Sequence, residues 1–183
     1  AMKSADPEAM NQLLQPVFER KAYEAARAAN RILTKGLPAG PGAACGEIAF
    51  SASRAEELAR HGKHVILARI ETSPEDLRGM IAADGILTTR GGVSSHAALV
   101  ARQMGKVCVA GAGEIVIDYH KGTLSCDGKV LKEGDFLSIN GTTGEIIQGK
   151  IDTADSELKQ VLVAGTMKPS ESRVARDFEF VMN

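Results

Sequence analysis

Apolar residues recur along this chain in two alternating rhythms, one near 3.6 residues and one of two. From Ser4 to Lys35 the helical rhythm holds, through Met10, Leu13, Leu14, Val17, Phe18, Tyr23, Ala25, Ala26, Ala29, Ile32 and Leu33, with a break at Pro16. Glu19, Arg20, Lys21, Glu24, Arg27 and Arg31 fill its polar side. Residues 36–42, Gly-Leu-Pro-Ala-Gly-Pro-Gly, then interrupt the chain. Cys45–Phe50 reads as a strand, Ser53 as the cap of a short helix through about Arg60, and His64–Arg69 as a second strand. Ser73-Pro74-Glu75-Asp76 is a helix start: a cap, a proline at the first position and acids in the first turn. The helix it opens carries Leu77, Met80, Ile81 and Ala82 on its inner side and ends near Asp84-Gly85.

Gly85–Thr89 follows as a short strand, then the turn Gly91-Gly92, then a serine cap at Ser94 or Ser95, then Ala97–Met104 as a helix stopped by Gly105. Val107–Ala110 is a further strand. Beyond Gly113 the period is two throughout: 114–118, 123–126, 129–131, 136–139 and 144–148, separated by Asp127-Gly128 and Asn140-Gly141, the first a hairpin signal. Helices early and a β meander late predict an α/β or α+β domain with more than one sheet layer. In the tail, Ser156–Val163 fits a helix or an apolar strand, and Pro169–Ser172 fits the cap of another helix.

Composition narrows this picture. The 183 residues suffice for one domain with appendages. A formal net charge of −1 gives no electrostatic case for nucleic acid or an anionic membrane surface, and no apolar run has the length of a membrane span. No targeting signal is visible. The three cysteines, Cys45, Cys108 and Cys126, are widely spaced and form no zinc pattern, which suits a reducing compartment: cytoplasm or a reducing organelle. His61, His64 and His120 fall in turns and read as solvated, and Glu71 and Asp76 as helix-start carboxylates. Gly111-Ala112-Gly113 fits no complete phosphate loop and reads as a turn that would line the same face as His96.

Candidate chemistry concentrates at residues 88–102. His96 falls in the first turn of a helix, whose N-terminus offers free N–H groups and partial positive charge to a phosphate. An uncharged imidazole above such a turn is what a phosphoryl acceptor requires. Arg90 can pair with phosphoryl oxygens; the hydroxyls of Thr89, Ser94 and Ser95 and the backbone of Gly91 and Gly92 can bond to them. A lone histidine beside a cap is also common decoration, and the pattern by itself does not separate the two readings.

Gly91-Gly92-Val93-Ser94-Ser95-His96-Ala97-Ala98, followed by an apolar helix and Ala101-Arg102, resembles the phosphohistidine motif of the phosphoenolpyruvate-utilising enzymes. Residues 71–77, 82–88, 105–111 and 133–145 match the family too, in order, and point to its dikinase branch. The resemblance implies a swivelling β/β/α phosphohistidine domain at 37–151, with a helical linker arm at 1–36 and a linker segment at 152–183. It implies His96 as a phosphohistidine carrying its group on Nε2. The imidazole would take a pyrophosphoryl group from ATP, pass one phosphoryl to inorganic phosphate and the other to pyruvate, and so give AMP, pyrophosphate and phosphoenolpyruvate. A sibling branch using water, or another phosphoenolpyruvate-utilising phosphotransferase, is the alternative. The implied partners are an ATP-grasp nucleotide domain and a pyruvate-binding β/α barrel of the same enzyme, a homodimer with Mg2+ bound outside this chain. The chain is expected to be an excised carrier unable to complete turnover alone. The matching position to Ser94 is a regulatory phosphothreonine in plant enzymes, which makes Ser94 a candidate phosphosite.

Overall fold

Four parallel strands set the frame: β4 (Ala43–Ala49), β5 (Val65–Arg69), β6 (Gly85–Thr88) and β7 (Val107–Ala110). In this computed structural model, which describes residues 15–154, they lie side by side in that order. Since the order never reverses, right-handed crossovers deposit every connecting helix on one face. Those helices are α2 (Ala52–Arg60), α3 (Leu77–Ala82) and α4 (His96–Met104). Strand alternation then divides the core. Val65, Leu67, Ile86, Cys108 and Ala110 face the helices and meet Ala55, Leu58, Met80, Ala97, Ala98 and Ala101. Ile66, Ala68, Leu87, Val107 and Val109 face the other way.

That second face is covered by antiparallel structure. The large sheet continues as β2 (Ile32–Lys35), β12 (Glu145–Gln148) and β11 (Phe136–Asn140) on one side of β4, and ends with β3 (Leu37–Gly40) beyond β7. β2 and β3 are the two ends of this eight-stranded order, yet only Gly36 separates them, so the sheet curls on itself. Gly36 has no room for a side chain: a Cβ there would lie 2.6 Å from Val109 Cγ1 and 2.9 Å from the Ala110 carbonyl. A separate three-stranded sheet, β8 (Val116–Asp118), β9 (Thr123–Cys126) and β10 (Lys129–Lys132), sends Ile117, Leu124 and Leu131 into the same core. The Asp127-Gly128 turn joins its last two strands, both residues at positive φ (+49° and +78°). Helices, large sheet and small sheet make the α/β architecture with two β layers.

A helix, α1 (Arg20–Ala28), precedes β2, and the two-residue strands β1 (Val17–Phe18) and β13 (Thr153–Ala154) bracket the rest. Phe18–Thr153 form one compact unit. α1 packs Ala26 against Ile147 and Ile151, and its Tyr23 hydroxyl donates to the buried Glu145 carboxylate, which Thr143 also serves. Glu19 N–H bonds the Asp152 carbonyl at 2.9 Å, so the unit's two ends lie together.

Four local expectations are corrected. Ile32–Lys35 is not helical: the β-branched Ile and Thr pair with β12, and position 36 falls between two strands of one sheet. Residues 37–40, expected as a break, form β3, where Pro38 needs no N–H because it lies on a sheet edge. Ser51, not Ser53, caps α2, its side chain accepting from Arg54 N–H. Leu77 and Ile81 are 42% and 54% exposed, and only Met80 of that helix's large apolar residues is buried, because six residues present too narrow a face for all three. The helix or strand expected at 156–163 and the helix expected after 169 lie outside the described residues, as do Met10, Leu13 and Leu14.

Candidate functional site

The C-terminal ends of β5 and β6 carry the loops that meet at His96. Past β6 the ladder continues, with Thr89 N–H on the Arg69 carbonyl (3.2 Å) and Arg90 N–H on the Ile70 carbonyl (2.9 Å). The chain then reverses at Gly91, where φ is +96°. A Cβ at Gly91 would fall 2.8 Å from Ser95 Cβ, so glycine is required here both by its backbone and by its neighbour. Ser95 N–H closes the turn on the Gly92 carbonyl (3.0 Å).

Ser95, of the two serines, is the N-cap: its hydroxyl accepts from Ala98 N–H (3.4 Å) and its carbonyl from Leu99 N–H (2.9 Å). His96 is the first helical residue, half-buried. The N–H groups of His96 and Ala97 have no partner among the described residues, which leaves two donors and the positive end of α4 beside the ring.

One side chain holds the imidazole. Thr72 Oγ1 lies 3.1 Å from His96 Nδ1, and Nε2 has no partner among the described residues. When Nδ1–H donates to this hydroxyl, Nε2 keeps its lone pair and becomes the nucleophilic nitrogen. Thr72 is the residue the sequence analysis missed. It stands in the matched run at 71–77, but 24 residues from His96, and no local spacing signals their contact.

The other named residues are gathered here with different freedom. Thr89 is half-buried and its hydroxyl donates to the Ile70 carbonyl (3.4 Å). Arg90 and Ser94 are exposed, and their side chains make no hydrogen bond or ion pair among the described residues. Gly111 lies against the Gly91 carbonyl, where a Cβ would approach to 2.6 Å, and Ala112 N–H bonds the Thr88 carbonyl (3.0 Å), so this turn does back the glycine turn. Arg102, from the far end of α4, reaches back to the Val93 carbonyl and ties down the loop.

Elsewhere two exposed histidines make local contacts. His61 Nδ1 meets the Glu57 carbonyl (2.8 Å) and His64 Nδ1 the Asp84 carboxylate (3.1 Å). Among the described residues no three of His, Cys, Asp and Glu come together as a metal cradle, and no helix is long and apolar enough to cross a membrane. Burial pushes the Cys108 thiol up to about 12 and raises that of Cys126 as well.

Residues 61–144 match the family model described as PEP-utilising enzyme, mobile domain. The chain is 52% identical over 152 residues to a chloroplastic pyruvate, phosphate dikinase of Mesembryanthemum crystallinum, covering 82% of this chain and 16% of that protein. To the pyruvate, phosphate dikinase of Rhizobium meliloti it is 40% identical over 193 residues (97% and 21%), and to that of Clostridium symbiosum 45% over 158 (86% and 18%). The chain thus spans between 16% and 21% of the length of these relatives. A solution structure of an Enzyme I protein aligns over 60% of this chain and 38% of its own at 21% identity, with a TM-score of 0.33.

Proposed function

The chain belongs to the PEP-utilising enzymes and carries their mobile domain, and from that premise we propose that it is the phosphocarrier of a pyruvate, phosphate dikinase. The observation that carries the reading is one arrangement: His96 at the capped start of α4, its Nδ1 on Thr72, its Nε2 unpartnered, two backbone donors beside it.

The Nε2 lone pair attacks the β-phosphorus of ATP, an N–P bond forms, and the P–O bond to the α-phosphate breaks to release AMP. An oxygen of inorganic phosphate next attacks the terminal phosphorus, releasing pyrophosphate and leaving a monophosphoryl imidazole. The enolate oxygen of pyruvate then takes that phosphoryl group, giving phosphoenolpyruvate and the free ring. At each stage the negative charge near Nε2 meets the positive end of α4, the N–H groups of His96 and Ala97, and the reach of Arg90. The free hydroxyl of Ser94 adds a donor, and that of Ser95, whose oxygen accepts the Ala98 N–H in the cap, keeps its own O–H to donate. Splitting the transfer through one imidazole replaces a hard displacement with easier ones. Mg2+ belongs with the nucleotide and pyruvate sites of the other domains, where it would neutralise phosphoryl charge.

A single imidazole visiting an ATP-grasp domain and a pyruvate-binding barrel must travel. The rotation falls outside Phe18–Thr153, because α1 and β2, inside the expected arm, are packed into the domain. Ser94 is the regulatory candidate, since a phosphate there would set like charge beside the incoming group.

The test uses the full-length enzyme with ATP, pyruvate and orthophosphate. Formation of phosphoenolpyruvate should require orthophosphate and yield pyrophosphate, and a His96→Ala enzyme should support neither. Turnover in which water replaces orthophosphate would assign the chain to the sibling branch. Turnover by His96→Ala would remove the reading altogether.

A further inference from the structure

The small three-stranded sheet has no part in the mechanism above, yet its first turn reaches the active loop. Tyr119, just after β8, accepts the Ile70 N–H on its hydroxyl (2.7 Å). Its ring lies beneath the Arg69 guanidinium, 4.8 Å from carbon to centroid. Arg69 ends β5, donates to the Phe50 carbonyl (2.7 Å) and faces Asp76, with Nε 3.6 Å from Oδ2. That same carboxylate oxygen accepts the Ser73 N–H (3.0 Å), and Asp76 is only 6% exposed.

These contacts bracket residues 70–76 at both ends, and between them stands Thr72, whose hydroxyl meets His96 Nδ1. Ile70 packs against the core at the start of the segment, but past it no apolar side chain is buried: Glu71, Ser73, Pro74 and Glu75 are exposed and Thr72 only half-buried. A solvent-facing loop anchored in the core at one end only keeps one conformation beyond that anchor through its polar ties. We propose that Tyr119, Arg69 and Asp76 are positioning residues that fix the Ile70–Asp76 loop so that Thr72 presents its hydroxyl to Nδ1 and holds His96 in the tautomer that phosphoryl transfer to Nε2 needs. The small sheet is then part of the transfer machinery. This inference rests on the phosphocarrier reading and deepens it.

Tyr119→Phe removes one oxygen from a side chain 41% exposed, leaving the core and the ring beneath Arg69 in place. The readout is the pair of His96 ring-nitrogen shifts in the 183-residue chain labelled with 15N-histidine, together with the phosphorylation rate of full-length enzyme by labelled phosphoenolpyruvate. The wild type should show His96 protonated at Nδ1 with Nε2 bare. Tyr119→Phe should mix the two tautomers and slow labelling roughly twofold to tenfold, the range for one lost hydrogen bond. Thr72→Val should do the same, and the double variant should be no worse than Thr72→Val alone, because both act through one contact. Asp76→Asn, which keeps the acceptor for Ser73 N–H but drops the charge facing Arg69, is the second handle should Tyr119→Phe unfold, and it too should mix the tautomers. Wild-type tautomer and rate in Tyr119→Phe, or effects that add fully to those of Thr72→Val, overturn the inference. Absence of any label on wild-type His96 would instead overturn the carrier reading, whatever the tautomer shows.

Discussion

Adjacent glycines in the active turn should respond oppositely to the same substitution. Gly91 sits at φ +96°, and an alanine Cβ there would stand 2.8 Å from Ser95 Cβ and 3.1 Å from its hydroxyl oxygen. Forcing an L-residue into a left-handed conformation costs about 1–2 kcal/mol. Relieving the contact means moving Ser95, the N-cap of α4, and losing a cap costs about 0.5–2 kcal/mol. Against this, alanine restricts the unfolded chain and returns about 0.4–1 kcal/mol. The net for Gly91→Ala is about 1–3 kcal/mol of destabilisation. Gly92 has no positive φ, and nothing lies within 4 Å of its would-be Cβ, so Gly92→Ala should be neutral or slightly stabilising. Urea unfolding of both variants checks this: with a slope of about 1–3 kcal/mol per molar, Gly91→Ala should lower the midpoint by roughly 1 M. His96 follows Ser95 in the chain, so phosphorylation of full-length Gly91→Ala should fall as well. Equal midpoints for the two variants would refute the reasoning that this turn is built around the Ser95 cap.

Other consequences are as direct. Ser94→Glu, at an exposed position with no bond to lose, should leave the unfolding free energy from urea titration within about 0.5 kcal/mol of wild type while suppressing phosphorylation of His96; normal labelling would remove Ser94 as a candidate switch. Leu87→Ala, fully buried between the large and small sheets, should cost about 2–5 kcal/mol in the same assay. The buried Cys108 thiol, pushed up from 9.0 to about 12, favours the folded state while neutral. That contribution is complete below pH 9 and is withdrawn as pH rises toward 12, so the urea midpoint should fall in that window and fall less steeply in Cys108→Ala.

What could be read from residue order was local. The serine cap, narrowed to Ser94 or Ser95, the helix behind it and the Asp127-Gly128 hairpin each need only a few neighbouring residues, and each was legible to that extent. So were the continuous apolar strands, such as 64–69, because burial on both faces leaves no polar position in a parallel strand. Residues 32–35 misled because Ile, Leu and a preceding alanine-rich helix extend a helical period, and the partner that makes them a strand, β12, lies more than a hundred residues on. Thr72, Arg69 and Tyr119 were illegible as a group for the same reason: a hydroxyl, a guanidinium and a phenol become one network only when the end of β5, the loop after it and the turn after β8 meet. The resemblance located His96 without explaining what orients it, and the Thr72 hydrogen bond supplies that explanation.

The central claim is that Nε2 of His96 accepts the phosphoryl group. Full-length enzyme should be loaded with labelled phosphoenolpyruvate, digested at alkaline pH, where phosphoimidazole survives, and the modified peptide sequenced by mass spectrometry, with its ring-nitrogen position set by NMR. The account predicts one acid-labile phosphoryl group per chain, on His96 Nε2, and none in His96→Ala. Label on any other residue, on Nδ1 of His96, or persisting in His96→Ala would contradict it.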